Sequence, residues 1–304
     1  MLQCTEVSVC EVLMKVYAPK YYQNFKCIAD KCNHSCCIGW EIDIDQQTLD
    51  KYTSLSHPYA NNIHNSIVID HEPHFVLDRD MHCPHLNKDG LCNIIIHCGE
   101  GYICDICREH PRFYNFTNNG KEVGIGMSCE AACKLILESD TFDQIFEIRE
   151  ESGDIIKYEF DALEKRNLIF KILKDNSFQI DGKIDKISDY FNINQNNLNL
   201  FDLISSFEYL NEEDKLLFSK VKFIIWNVSL STELTRTLAY YVYRHCSEAC
   251  DLDEFISSLS FAIFCTGLIS TLSNNENIFD IARIVSEEIE YSQDNTDKIK
   301  SIVY

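Results

Sequence analysis

Thirteen of the chain's 16 cysteines fall before residue 134, and only three follow. That skew constrains the fold more than any other feature. A stretch this dense in thiols either staples itself with disulfides in an oxidising compartment or offers its sulfurs to metal in a reducing one. The N-terminal segment MLQCTEVSVCEVLMKVYAPK has no basic leader, no adequate apolar run and no small-residue cleavage site. The longest apolar stretch, FAIFCTGLISTL (261–272), reads as too short and too interrupted to span a bilayer. These features predict a cytoplasmic location, where clustered thiols are ligands.

Charge narrows the partners. Lys plus Arg number 27 against 48 Asp plus Glu, a formal net charge of -21. Nucleic-acid affinity comes mostly from cations neutralising phosphates, so this balance argues against a phosphate-backbone binder. The same balance opposes docking on an anionic membrane. A lysine-rich protein partner stays compatible, because an acidic field concentrates cations.

Composition shifts near Cys133, which divides the sequence into a cysteine-rich region (1–133) and an α-helical domain (134–304). The predicted fold is mainly α: a Cys-rich, metal-binding N-terminal region with short strands and a hairpin, then helices. In the first region, DIDQQTLDKY (43–52) opens a short helix with Asp45 as N-cap and Leu49 and Tyr52 facing inward. NSIVID and HFVLD (65–70 and 74–78) read as strands about a turn at His71–Pro73, and residues 112–129 as a hairpin with positive φ at Asn119–Gly120. Beyond 133, apolar residues near a 3.6 period predict helices over 157–175, 212–230, 233–250, 253–272 and 277–293. DNSFQIDGKIDK (175–186) and NINQNNLN (192–199) read as polar breaks.

The thiols form local groups. FKCIADKCNHSCCIGW supplies Cys27, Cys32, Cys36 and Cys37. CPHLNKDGLC supplies Cys83 and Cys92 across an Asp89–Gly90 turn, CGEGYICDIC supplies Cys98, Cys104 and Cys107, and Cys129 and Cys133 close the region. Two intervening residues let both sulfurs of Cys104 and Cys107 face one ion. Four soft sulfur donors satisfy either zinc or an iron–sulfur cluster, so both stay open. His82, His85, His97 and His110 sit among the thiols but are not expected as ligands, since the thiols suffice. Cys4, Cys10, Cys246, Cys250 and Cys265 read as ordinary buried thiols. No phosphate-cradling GxxxxGK[ST], dinucleotide-binding strand–GxGxxG–helix, GxSxG or HExxH pattern occurs.

These residues resemble the flagellin lysine-N-methylases. The similar stretches are KVYAPKYYQNFKCIADKCNHSCCIGWEIDID (15–45), CPHLNKDGLCNI (83–94), GEGYICDICREHPRFY (99–114), SCEAA (128–132), YYVYRHC (240–246) and SEEIEYSQDN (286–295). The family's usual SCPEAAR is here SCEAACK, without the proline and with Lys134 for arginine. Its usual SREIEHS is here SEEIEYS, with Glu287 and Tyr291 substituted. The resemblance implies methyl transfer from S-adenosylmethionine to lysine ε-amines of flagellin in the bacterial flagellum, with an associated iron–sulfur cluster (zinc being the alternative metal). Neither nucleic acid nor membrane is an expected partner. Carried across, the implied metal ligands are Cys27, Cys32, Cys36, Cys37, Cys83, Cys92, Cys104, Cys107 and Cys129, and the family more usually has other residues at Cys98 and Cys133. The runner-up reading is a non-catalytic zinc- or iron–sulfur-binding scaffold, because a wider group of cysteine-cluster proteins shares this outline.

Methylation requires a neutral amine in line with the donor's methyl group, and aromatic faces that favour a sulfonium. Tyr17, Tyr21, Tyr22, Trp40 and Tyr114 are candidates for such faces, and Glu288 and Glu290 for orienting the amine. No residue is assigned as catalytic or donor-binding.

Overall fold

The computed structural model of the protein describes residues 11–154, 157–193 and 199–302. It is mainly α, with a small sheet region. Among the described residues there are six strands: β1 (Glu11–Pro19), β2 (Ile67–Ile69), β3 (Pro73–Phe75), β4 (Arg112–Thr117), β5 (Gly120–Ile125) and β6 (Ile145–Asp154). Four of them form one sheet in the order β4-β5-β1-β6, with β1 parallel to β5 and antiparallel to β6. The other two form a separate hairpin.

The chain divides into two compact units that do not follow a single cut in sequence. One comprises Met1–Phe25, Arg112–Ser128 and Ala132–Tyr304; the other comprises Lys26–Pro111 together with Cys129–Ala131.

The larger unit contains the four-stranded sheet and the long helices. Its β4–β5 hairpin pairs Thr117 with Gly120, so Asn118 and Asn119 make the turn. Positive φ is confined to Gly120, at +128°, where an added Cβ would run into the backbone carbonyl oxygen of Lys15 on β1. The expected pair of left-handed residues is thereby corrected: Gly120 is needed because β1 passes against it. β6 corrects the all-helical reading of the second half. Its sequence, IFEIREESGD, is too charged to read as a strand, yet it pairs along the whole of β1, with Lys15 Nζ 2.7 Å from Glu147 Oε2.

Two further expectations change in the helices. The polar break at 175–186 contains the start of a helix, Ile180–Phe191, which buries Ile180, Ile184, Ile187 and Phe191 on one face. The helix expected over 212–230 ends at Phe218. Beyond it, the Ile225 and Asn227 amides donate to Thr271 Oγ1 (2.9 Å) and Ser270 Oγ (2.7 Å), so side chains of a neighbouring helix replace helical backbone partners. Residues 194–198 of the other polar break lie outside the described residues.

The helix Leu252–Leu272 is 21 residues long with mean hydropathy 1.8, and is therefore long and apolar enough to cross a membrane. The shorter stretch read from sequence understated it. Of that apolar span, 83% is buried inside the protein. Cys246 and Cys265 are buried free thiols. Cys250 is instead disulfide-bonded, and Cys4 and Cys10 lie outside the described residues.

Candidate metal centre

In the smaller unit, backbone pairing brings sequence-distant cysteines together. The Cys83 amide donates to the Cys37 carbonyl (2.8 Å) and the Gly39 amide to the Met81 carbonyl (2.9 Å), aligning 37–39 with 81–83. Cys83 and Cys92 flank a loop closed by the Leu91 amide donating to Asn87 Oδ1 and the Asn87 amide donating to the Leu91 carbonyl, both at 2.9 Å. Gly90 supplies the turn at φ +75°, and its Cα faces the Asp30 backbone closely enough that a Cβ would sit 3.4 Å from it. The loop carrying Cys92 thus packs on the 3₁₀ turn Ala29–Lys31 between Cys27 and Cys32.

One carboxylate fixes the third group. Asp45 caps the helix Gln46–Thr53 by accepting from the Thr48 amide, and its other oxygen accepts from the Asp105 amide at 2.9 Å. It therefore caps two helices at once, the second being Asp105–Glu109, which starts at Cys104 and carries Cys107. Buried Tyr52 on the first helix donates to the Tyr102 carbonyl (2.6 Å), with its oxygen 3.6 Å from Cys104 Sγ. The inward-facing Tyr52 expected from sequence is found, and what it touches is a thiol.

The fourth contribution arrives from far along the chain. Glu130, next to Cys129, accepts from the Asn33 amide (2.8 Å) and from Asn33 Nδ2 (3.3 Å), and Cys32 Sγ lies 3.6 Å from its Oε2. Nothing in the sequence signals that contact, because 97 residues separate the partners.

All nine thiols implied by the resemblance lie in this unit, and each stands in electrostatic reach of another. Cys36 and Cys37 share a hydrogen bond. It holds Cys37 down to about 7, while Cys36 is pushed far up by that bond, by burial and by the neighbouring Cys129 and Cys27. Cys104 is likewise lowered by its bond with Cys107, and Cys107 is raised strongly by that bond and by burial, with Cys37 and Cys36 nearby. Burial lifts Cys83 to about 12 and raises Cys92, with Cys37 beside both. Burial also raises Cys32 to about 11, with Cys129 among its neighbours. Each pair thus couples one thiol that ionises readily, Cys37 or Cys104, to one held neutral, and the set as a whole is a dense group of soft donors.

The remaining candidates fall elsewhere. Cys98 Sγ lies 3.9 Å from His57 Nδ1, and Cys133 is in the other unit, donating to the Phe279 carbonyl. His85 is fully buried, with Tyr59 Oη on Nδ1 (3.0 Å) and Ser66 Oγ on Nε2 (2.9 Å), so both ring nitrogens are engaged within the protein. His97 stacks on Tyr59, and burial lowers His110 to about 4. Among the described residues the one triplet of ligand atoms mutually within 4.8 Å is Asp78, Asp80 and His82. It is an exposed turn in which Asp78 accepts the Asp80 and His82 amides.

The carboxylates and aromatics considered for the amine and the donor belong to the larger unit, except Trp40, which is half-buried in the smaller one. Glu290 is buried and fully engaged: Tyr240 Oη (2.9 Å) and Ser286 Oγ (2.5 Å) donate to Oε2, and His245 Nε2 (2.8 Å) and Arg244 Nε (3.3 Å) face Oε1. Glu288 accepts from the Leu210 amide (2.7 Å), and burial raises it to about 8. Both carboxylates therefore have partners inside the larger unit. Of the aromatics, Tyr21 is buried, Tyr22 Oη accepts from Arg112 Nε (3.1 Å), and the Tyr114 ring already carries Lys121 Nζ at 4.3 Å. Tyr17 is half-buried on β1.

Fold and site together define a mainly α chain with a separate thiol-rich unit. Over 129 residues, 40% of its length, it is 25% identical to the flagellar biosynthetic protein FliU of Salmonella muenchen, 76% of which is covered. Over 129 residues it is also 25% identical to the lysine-N-methylases of Salmonella choleraesuis and Salmonella typhimurium, covering 32% of each. The similarity is distant, and the chain spans about a third of the length of the two lysine-N-methylases it matches. No protein-family profile and no solved structure matches the chain.

Proposed function

We propose that the protein methylates lysine ε-amines of flagellin with S-adenosylmethionine, and that its thiol-rich unit holds an iron–sulfur centre. The observation that carries the methylation reading is the similarity to proteins named lysine-N-methylase. The flagellar target rests on the name of FliU.

The donor set supports the metal. Nine thiols drawn from four separate stretches converge in one unit. A single tetrahedral zinc would draw its sulfurs to about 3.8 Å apart, given Zn–S near 2.3 Å. Nine thiols exceed the four that one such ion takes, which suits an iron–sulfur centre with zinc as the alternative metal. The residues that would hold it are Cys27, Cys32, Cys36, Cys37, Cys83, Cys92, Cys104, Cys107 and Cys129. Bound there, the centre supplies soft cationic charge that fixes the loops; polar methyl transfer needs no electron from it.

A lysine amine has a reference pKa near ~10.4 and must lose its proton before attack on the methyl group. An apolar slot lowers that pKa, and the strongly acidic field of the chain (-21) gathers lysine-bearing segments. The test is incubation of anaerobically reconstituted protein with flagellin and methyl-labelled S-adenosylmethionine, followed by mass spectrometry of the lysines. Label on flagellin lysines is the expected result, and its absence overturns the reading.

The second reading, a non-catalytic metal-binding scaffold, is favoured by one observation: Glu288 and Glu290 are both buried and engaged inside the protein. It predicts no heat of binding on titration with S-adenosylmethionine, whereas the methylase reading predicts saturable binding.

A further inference from the structure

The tripeptide Cys129–Ala131 belongs to the thiol-rich unit, although the residues on both sides of it in sequence belong to the other unit. Glu130 and Ala131 are the first residues of the helix Glu130–Glu138, so Cys129 stands directly before a helix, whereas the Cys32–His34 stretch lies in none. Glu130 supplies the attachment. Its carboxylate takes the Asn33 amide at 2.8 Å on Oε2 and the Asn33 side-chain amide at 3.3 Å on Oε1, a two-point grip on the residue that follows Cys32. Cys32 Sγ lies 3.6 Å from the same Oε2 and 3.1 Å from the His34 carbonyl oxygen.

We infer that Glu130 is a positioning residue that clasps the Cys32–His34 loop to Cys129, so that sulfurs from the first and last cysteine groups reach one metal centre. This rests on the reading that the thiols hold metal. The physical argument is geometric. Cys129 is delivered from a point 92 residues beyond Cys37 in sequence, and the loop facing it has only the short 3₁₀ turn Ala29–Lys31 for regular structure. Without a fixed partner, the loop carrying Cys32 would lose conformational freedom only on binding metal, which weakens that binding. The paired amides of Asn33 also bring two donors to a carboxylate, the stronger kind of hydrogen bond. Glutamine at 130 keeps an oxygen acceptor for the Asn33 backbone amide, and its NH2, at the Oε1 position, donates to Asn33 Oδ1 once that side-chain amide turns over, so charge is dispensable where geometry is not.

The test uses the full chain reconstituted anaerobically with ferrous iron and sulfide, and reads iron per chain and the rate of iron loss to a ferrous chelator. Loss of an outer hydrogen-bond partner typically weakens a metal site about 10- to 100-fold. Glu130→Ala is expected to lose iron faster by that factor, with Glu130→Gln close to the wild type. Asn33→Asp sets a second carboxylate against Glu130 and is expected to fall between them; it serves as the readout if the alanine variant does not fold. Wild-type release from the alanine variant, or from Asn33→Asp where the alanine variant does not fold, overturns the inference. Equal impairment of Glu130→Ala and Glu130→Gln overturns it too. A wild-type chain that takes up no iron overturns the metal reading itself, a distinct result.

Discussion

The two units are stabilised by different means. In the smaller one, helices run five to eight residues and the one hairpin has strands of three. Its buried cluster of Ile42, Ile44, Tyr52, Ile63, Phe75 and Ile94 includes two thiols, Cys83 and Cys104. The larger unit has a 21-residue helix, a four-stranded sheet and buried ion pairs. Arg166 Nη1 lies 2.6 Å from Glu122 Oε2, both side chains 4% exposed, and Ser247 Oγ accepts a second Arg166 bond at 2.7 Å. On the proposed reading, a unit whose apolar core is shared with thiols gains much of its stability from the metal those thiols hold. The larger unit draws its stability from apolar burial and satisfied charges.

The sharpest way to break this contrast is metal removal. Structural metal binding is worth on the order of 10 kcal/mol in small thiolate domains. A strong chelator is therefore expected to abolish hydrogen-exchange protection across 42–75 while the helix Leu252–Leu272 keeps its own. Unchanged protection at 42–75 would show that the smaller unit folds on its apolar cluster alone.

Next in size is the buried carboxylate of the larger unit. Removing one partner of a buried ion pair typically costs about 3–5 kcal/mol, because the other charge is left uncompensated. Glu290→Ala strands Arg244, whose remaining neighbours are Tyr240 Oη at 2.9 Å and the rings of Phe113 and Tyr291. Urea unfolding followed by tryptophan-independent circular dichroism is expected to show a loss of that size, and the thiol unit's iron content should not change.

Acid should act on the same network. Burial lowers His245 to about 4, against an unfolded value near 6.5, with Glu290 hydrogen-bonded to it and Arg244 and Lys300 close by. Its neutral form is favoured in the folded state, so this contribution is complete above pH 6.5 and is lost as pH falls toward 4. Glu290 is held below its ordinary range by Arg244 and His245 against the opposing effect of burial, and its contribution likewise fades on acidification. The slope from one such group is at most about 1.4 kcal/mol per pH unit. Stability measured from pH 7 to 4.5 should fall, and His245→Gln should flatten the upper part of the curve.

Smaller effects probe local fit. A Cβ at Gly126 would run into Tyr291 Oη and sit 2.9 Å from Arg244 Nη1. Gly126→Ala is expected to cost about 1–3 kcal/mol, the usual penalty for overpacking, and to lower the melting temperature of the larger unit. Asp45→Ala removes the shared cap of two short helices in the smaller unit, at about 1 kcal/mol or more by typical N-cap losses. A greater loss in the chelated protein than in the metal-loaded one would sharpen the contrast further.

Much of this was legible in the sequence. The Asp45 cap, the inward Tyr52, both hairpins and the long helices follow from capping chemistry, turn residues and periodicity, which act within a few residues. The strand β6 and the end of the helix at Phe218 were not, because pairing with β1 and side-chain acceptors on a distant helix override local preference. The segments YYVYRHC and SEEIEYSQDN stood out as motifs, but their purpose appeared only in three dimensions. There, Tyr240, Arg244 and His245 close on Glu290 across a single π turn, Ser286–Glu290.

By itself, the sequence determined the mainly helical character, the acidic charge and the concentration of thiols, since composition and short-range pattern specify these directly. Only the tertiary structure decided which thiols share one unit, that Glu130 beside Cys129 meets Asn33, and that the carboxylates of the last helices have internal partners. The reason is range: hydrogen bonds and charges between residues some hundred positions apart leave no mark on either local sequence.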